Sequence, residues 1–433
     1  MKKTTFSKRI LSAFLSLALL LTCAAGLVLP ASAADTGGIS TYLSDFGFSG
    51  KTISILGDSI STFQDYCNGA AADTTNSTIR DNYTYYSNSN VSSFGVSVND
   101  TWWKQTADVL GMRVLVNNSW SGSRVINFGT GTPSAYIDRS QQLHDDTGSN
   151  SGEKPDVIAI YMGTNDTKNA DDPGDINNVN FEALKSVSSS YTPSTVLEAY
   201  ALMLYRAIKK YPNAEIYCMT LIPYENITTA QRNVMLEFND GVRQIAKHYG
   251  VYVADLYEES GLTSQSECFD YHMANRLHPG PYGMDAITNC LVNSMLENSK
   301  YNTSSQTLVP ITYELNGVYA KGGTIQNALK DKPLTIAFGA REGFDTNLTV
   351  TMGGKDITAE CFSNGKLSIS KVTGQIHITA GTTVANKTPD VYRWELTSNH
   401  MLSVNDGGAV YNGATLIAGS CSSSVFSKAQ YIL

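Results

Sequence analysis

Five short apolar runs, separated by stretches with a helical period, constrain the fold more than any other feature of the chain. The runs are Ile53–Leu56, Arg113–Asn117, Val157–Met162, Ile216–Ile222 and Val251–Asp255. They are nearly continuous rather than alternating, which is the pattern of strands covered on both faces. Asp100 can cap a helix running through Trp102, Trp103 and Leu110. Thr192-Pro193 offers a cap followed by a favourable first-turn proline, and Tyr211-Pro212 ends that helix. Its Val196, Tyr200, Leu204 and Ile208 recur every fourth residue and define one buried face. Further helices are expected over about 229–249 and about 282–297. Strand alternating with helix predicts a parallel sheet between helix layers. Ligands of such sheets bind beyond the carboxyl ends of the strands.

The chain has 433 residues, more than one ordinary core holds, so two or more domains are expected. From about residue 307 the pattern changes to alternation: Leu348, Val350 and Met352, then Leu367 and Ile369, then Ile376 and Ile378. Gly353-Gly354 and Asn364-Gly365 are turn signals. Residues 307–384 therefore read as a small β-sandwich, and 389–433 as a short β-like segment. Residues 1–33 read as a secretory signal peptide: Lys2, Lys3, Lys8 and Arg9 precede an apolar stretch that ends in Ala31-Ser32-Ala33. Removing those four basic residues and no acidic one takes the net charge from −8 to −12. A field of that sign repels phosphate backbones and anionic lipid, so nucleic acid is not an expected partner. No second long apolar stretch follows, so no membrane span is expected after cleavage. The expected location is outside the cell, either free or held at the cell surface. Six cysteines remain after Cys23 is removed, with no CxxC pair to hold zinc. Export permits disulfides, and Cys268 with Cys290 is the candidate pair; Cys218, in an apolar run, reads as a buried thiol.

Four short motifs carry the chemistry. The first apolar run ends in Gly57-Asp58-Ser59, placing a serine where the chain must turn. Gly122 lies in Ser119-Trp120-Ser121-Gly122-Ser123, Asn165 in Gly163-Thr164-Asn165-Asp166, and His278 in His278-Pro279-Gly280. Taken singly, each has a plain structural role: Ser59 as a helix cap, Gly122 and Asn165 as turn residues. In this order, with three of them directly after apolar runs, they resemble the SGNH (GDSL-type) hydrolase family. The resemblance covers roughly residues 50–300. It implies a three-layer α/β/α, flavodoxin-like parallel sheet, followed here by a small all-β domain. It also implies a serine esterase with Ser59 as nucleophile and His278 as general base. The Ser59 and Gly122 backbone N–H groups and the Asn165 side chain would bind the oxyanion. Neither metal nor organic cofactor is implied. Asp58 and Asp166 read as holders of turn amides.

One position departs from the pattern. A common form of the histidine block is D-x-x-H, and this chain has Asn275-Arg276-Leu277-His278. Asn275 can accept a hydrogen bond from the imidazole but brings no charge. Asp270 and Asp285 are the nearest acids in sequence; a Ser–His dyad oriented by a backbone carbonyl and a weak enzyme are the other options. The polar segments 67–99, with Tyr83, Tyr85 and Tyr86, and 168–190, with Asp171, Asp172 and Asp175, should overhang the active edge. Tyrosines in polar loops suit sugar rings better than long acyl chains. The acidic trio does not match a calcium-loop spacing. Tyr83 and Trp120 are the candidates for lining the pocket. The expected substrate is an O-acylated, chiefly acetylated, polysaccharide or a small ester. The alternatives are a lipase, lysophospholipase or thioesterase, and a weakly catalytic glycan-binding surface protein.

Overall fold

Five parallel strands form the sheet whose ends carry the serine, glycine and asparagine motifs. They are β1 (Thr52–Gly57), β2 (Arg113–Ser119), β3 (Val157–Tyr161), β4 (Glu215–Met219) and β5 (Tyr252–Ala254). Their order is β2-β1-β3-β4-β5, with every neighbouring pair parallel. This is the flavodoxin-like order. The apolar runs explain it: β1, β3 and β4 are buried at every position, as strands between two helix layers must be. The computed structural model describes residues 46–67, 84–126, 135, 139–145, 151–224, 227–262, 271–341 and 344–380. The chain divides into two compact units, Met1–Thr383 and Val384–Leu433, and all described residues belong to the first. The signal-peptide reading, the segment 389–433, Tyr83, Cys268 and Asp270 fall outside the described residues.

Four long helices flank the sheet: α1 (Trp102–Leu110), α2 (Val196–Lys210), α3 (Thr229–Tyr249) and α4 (Pro281–Asn298). Their faces match the sequence pattern, but two start points differ. Thr101, not Asp100, occupies the cap of α1; the Asp100 carboxylate instead accepts from the Ser97 N–H at 2.7 Å and closes the preceding turn. Helix α2 begins at Val196, capped by the Thr195 hydroxyl on the Glu198 N–H. Glu198 reaches back to the Ser194 N–H and hydroxyl and to the Tyr191 hydroxyl. This reciprocal capping satisfies more orphan amides than a Thr192-Pro193 start, so the helix begins three residues later. Trp102 and Trp103 are core residues, as their helix period implies.

Nine further strands follow among the described residues. Those used below are β6 (Leu308–Glu314), β7 (Val318–Ala320), β8 (Asn327–Leu329), β9 (Leu334–Ala340), β10 (Leu348–Met352), β11 (Lys355–Asp356), β12 (Phe362–Ser363), β13 (Lys366–Ile369) and β14 (Ile376–Ala380). They form two sheets, β11-β10-β14-β6-β8 and β12-β13-β9-β7. Alternate residues such as Val350, Leu367, Ile376 and Ile378 enter the core, as the period-two pattern requires. The Asn364-Gly365 turn lies between β12 and β13 with both residues at positive φ, the type I′ signature. The β region is bonded to the elements around the histidine. Thr324 N–H donates to Ser260 O, the Asn289 amide to Gly322 O, and the Asn327 amide to the Asn293 side chain.

Candidate active site

Ser59 stands one residue beyond Asp58, just past the carboxyl end of β1, and opens a short 3-10 turn over Ser59–Ser61. The Asp58 carboxylate caps this turn by accepting the Ile60 N–H at 3.0 Å, and Ser61 N–H donates to Asp58 O. Asp58 is fully buried, and burial drives its carboxyl up to about 6 against the pull of Thr164, the Ile60 N–H and Arg139. Arg139 lies beneath the turn, buried, and donates to Gly57 O and Asn118 O, both at 2.6 Å. Burial pushes this guanidinium down to about 9 while Asp58 and Cys67 pull it up. Nothing in the sequence around Arg139 marks that role, which only the fold reveals.

His278 reaches Ser59 from the other end of the chain. Its Nε2 lies 2.9 Å from Ser59 Oγ, across 219 residues of sequence. A tight loop presents the ring: Gly280 N–H donates to His272 O at 2.8 Å and Ala274 N–H to His278 O at 2.9 Å. Gly283 must be glycine, since a Cβ there would meet His272 O at 2.2 Å. Tyr86, fully buried, donates its hydroxyl to Pro279 O at 2.7 Å. His272 itself is buried, its Nε2 3.2 Å from Ala320 O in β7. The β region thus helps to seat the histidine loop.

Asn275 faces the imidazole. Its Oδ1 accepts the Leu277 and His278 N–H groups at 2.9 Å each and lies 3.3 Å from His278 Nδ1. With the proton on Nδ1, Nε2 is left to accept from Ser59. Asp285 sits in α4, where its carboxylate accepts the Gln105 amide at 2.8 Å, and it is Asn275 that faces Nδ1. Asp270, the other acid considered from the sequence, lies outside the described residues.

Three loops meet around the serine. Trp120 N–H donates to Gly57 O at 3.1 Å, fastening the Gly122 loop to the end of β1. Gly122 has φ +78°, and a Cβ there would meet no atom within 4 Å. Backbone conformation, rather than crowding by neighbours, demands glycine here. Asn165 donates its amide to Ser123 O at 2.9 Å. Asp166 accepts the Val125 and Ile126 N–H groups at 2.9 and 3.2 Å, and burial drives it up to about 7. Both aspartates therefore hold turns, as their motifs imply. Arg124 pairs with Asp171 at 3.1 Å, with little exposure on either side. Asp172 and Asp175 accept backbone N–H groups of their own turns. No group of metal-ligating side chains occurs among the described residues. Trp120 is only 9% exposed, so it can form a wall of the site but not an open shelf. Tyr85 and Tyr86 pack against His278 instead of overhanging the edge. Cys290 is a buried free thiol in α4, and its expected partner Cys268 lies outside the described residues; Cys218 is buried and free, as its apolar run implies.

Burial pushes His278 down to about 3, and nearby Lys168 adds to the effect. The ring is therefore neutral, the form a general base requires, across the whole ordinary pH range. Because the folded value lies below the ordinary 6.5, the stability contributed by the neutral ring is complete above pH 6.5 and is lost as pH falls towards 3. Asp58 and Asp166, both raised, act in the opposite sense: their contribution is complete below 3.8 and lost as pH rises through 6 to 7. The expected pH profile of kcat/KM has its acid limb below pH 5. A limb near 6.5 would show an ordinary solvated histidine at this position.

A flavodoxin-like sheet that places a hydrogen-bonded serine and histidine at its carboxyl edge defines the class: an α/β ester hydrolase. The model of the GDSL-like lipase/acylhydrolase family matches residues 51–295. The chain belongs to that family. No curated relative matches it. Similar solved structures include one described as a GDSL-like lipase from Bacteroides ovatus, 28% identical, covering 58% of this chain and 100% of that one at a TM-score of 0.40. Another, described as a GDSL-like lipase from Bacteroides uniformis, is 22% identical and covers 57% and 97% at 0.39. A carbohydrate acetylesterase from Sinorhizobium meliloti is 10% identical and covers 57% and 99% at 0.37.

Proposed function

We propose that the chain is a secreted serine esterase that removes small acyl groups, acetyl above all, from carbohydrate. The observation that carries the mechanism is the 2.9 Å contact between Ser59 Oγ and His278 Nε2. Ser59 Oγ attacks the ester carbonyl carbon while its proton passes to Nε2, and the carbonyl π pair moves onto oxygen. The Ser59 and Gly122 N–H groups and the second Asn165 amide hydrogen would hold that oxyanion; one such donor is typically worth ~10²–10³ in kcat. The imidazolium then gives its proton to the leaving alcohol as the C–O bond breaks. Water, deprotonated by the same ring, attacks the acyl-serine; the ring returns that proton to Ser59 Oγ as the acyl C–O bond breaks and the acid leaves. No step needs a metal or organic cofactor.

Two features favour a small acyl group on a polar alcohol. Ser59 is only 3% exposed, so the ester must reach it through a confined approach. The segment 168–190 beside the site is polar and held by Arg124 and Asp171. The secretory reading rests on residues 1–33 and the acidic balance of the rest of the chain. Hydrolysis of p-nitrophenyl acetate, butyrate and octanoate tests the proposal. Rates falling with chain length, together with acetate release from an acetylated polysaccharide, are expected. Rates rising towards octanoate would replace the carbohydrate esterase with a lipase or thioesterase.

A further inference from the structure

We propose that Tyr85 is a positioning residue whose ring face stabilises the imidazolium formed on His278, at the site where D-x-x-H sequences supply a carboxylate. The inference rests on the serine-esterase reading above. The Tyr85 and His278 rings are stacked, with centroids 3.4 Å apart and planes 9° from parallel. Phe94 stacks near Tyr85 as well, at 5.3 Å and 13°, which restricts the tyrosine ring.

Two further contacts make Tyr85 a hub. Asn275 donates its side-chain amide to the Tyr85 hydroxyl. That bond agrees with the orientation the loop imposes: the Leu277 and His278 N–H groups require Oδ1 on their side, where it also faces His278 Nδ1, and Nδ2 is left for the tyrosine. The Leu277 and His278 N–H groups hold Oδ1 in place without the hydroxyl, so the tautomer of the base does not depend on the Tyr85 oxygen. On the other side, Tyr85 N–H donates to Thr62 Oγ1 at 2.8 Å, and the Thr62 hydroxyl donates to Ser59 O at 2.8 Å. One residue thus spans the nucleophile's turn, the base and the group that orients the base.

The ring face acts where Asn275 cannot. An amide oxygen can orient the imidazole, but it offers no net charge to the cation. The face of an aromatic ring carries the negative lobe of a quadrupole and attracts a cation held over it, more strongly when the pair is dry. His278 is 8% exposed and Tyr85 is half-buried, so the pair is partly shielded from water. The attraction is weak while the imidazole is neutral and grows when the Ser59 proton arrives on Nε2. It is therefore larger in the transition state than in the ground state, the condition for raising kcat.

The test compares Tyr85→Leu and Tyr85→Phe, each with Asn275 and with Asn275→Asp, on p-nitrophenyl acetate, with Ser59→Ala as reference. With Asn275, Tyr85→Leu should lower kcat by about 10- to 30-fold at nearly constant KM. Tyr85→Phe keeps the ring and should retain activity to within about threefold. In the Asn275→Asp background the carboxylate supplies the missing charge, so the leucine cost should shrink to about threefold or less. Three results would overturn the inference: no loss with leucine, equal loss with phenylalanine and leucine, or an equal leucine cost in both backgrounds. If the leucine variant does not fold, ring-fluorinated phenylalanines at position 85 keep the shape and weaken the quadrupole. Then kcat should fall with each added fluorine, and a flat series overturns the inference. Ser59-dependent turnover with a flat series removes this inference alone. Absence of Ser59-dependent turnover removes the esterase reading with it.

Discussion

Ser59→Ala is expected to abolish turnover of every ester, by at least about 10³-fold, while the protein stays folded. The loss is large because no other group can replace the attacking oxygen, and what remains is the residual effect of oxyanion donors and binding. The fold should tolerate the change. The turn around Ser59 is held by the Asp58 carboxylate on Ile60, by Ser61 N–H on Asp58 O and by Arg139 on Gly57 O, none of which uses the serine hydroxyl. Melting temperature should stay within a few degrees of the parent. Retained activity in a folded Ser59→Ala protein would remove Ser59 from the mechanism.

Asn275→Asp is expected to act in the opposite direction and raise kcat by about tenfold. In a serine protease, losing the carboxylate behind the histidine can cost on the order of 10⁴ in turnover. A smaller gain is expected here because Asn275 is exposed, where solvent weakens the charge. The substitution fits the existing bonds. A carboxylate can still accept the Leu277 and His278 N–H groups and face Nδ1, and the Tyr85 hydroxyl can reverse and donate to it. The new charge also favours the imidazolium, so the acid limb of the pH profile should move upward. An unchanged kcat and an unmoved limb would show that position 275 does not act on the ring.

The parts of this molecule that are local in sequence were legible before the fold was known. Continuous apolar runs located β1 to β5 to within a few residues, because strands buried on both faces leave no room for alternation. The serine, glycine, asparagine and histidine blocks are each a few residues long, and the sheet topology brings three of them to one edge. What sequence reading missed depends on contacts between distant segments. Tyr85 and His278 stack across almost two hundred positions, so the tyrosine read as a sugar platform rather than as support for the base. Asp285 read as a possible orienting acid because it is near His278 in sequence; in α4 it accepts from Gln105, while Asn275 faces the ring. The start of α2 was misplaced because several Thr and Ser residues compete for one cap, and Glu198 decides between them.

The central claim is that His278 activates Ser59 as a nucleophile. Its most direct test is covalent labelling with a fluorophosphonate, followed by mass analysis of the peptide that carries the adduct. A single phosphonyl group on Ser59, absent from Ser59→Ala and formed at least about 10²-fold more slowly in His278→Ala, is the expected result. No adduct on Ser59, or labelling at an equal rate without His278, would contradict the account.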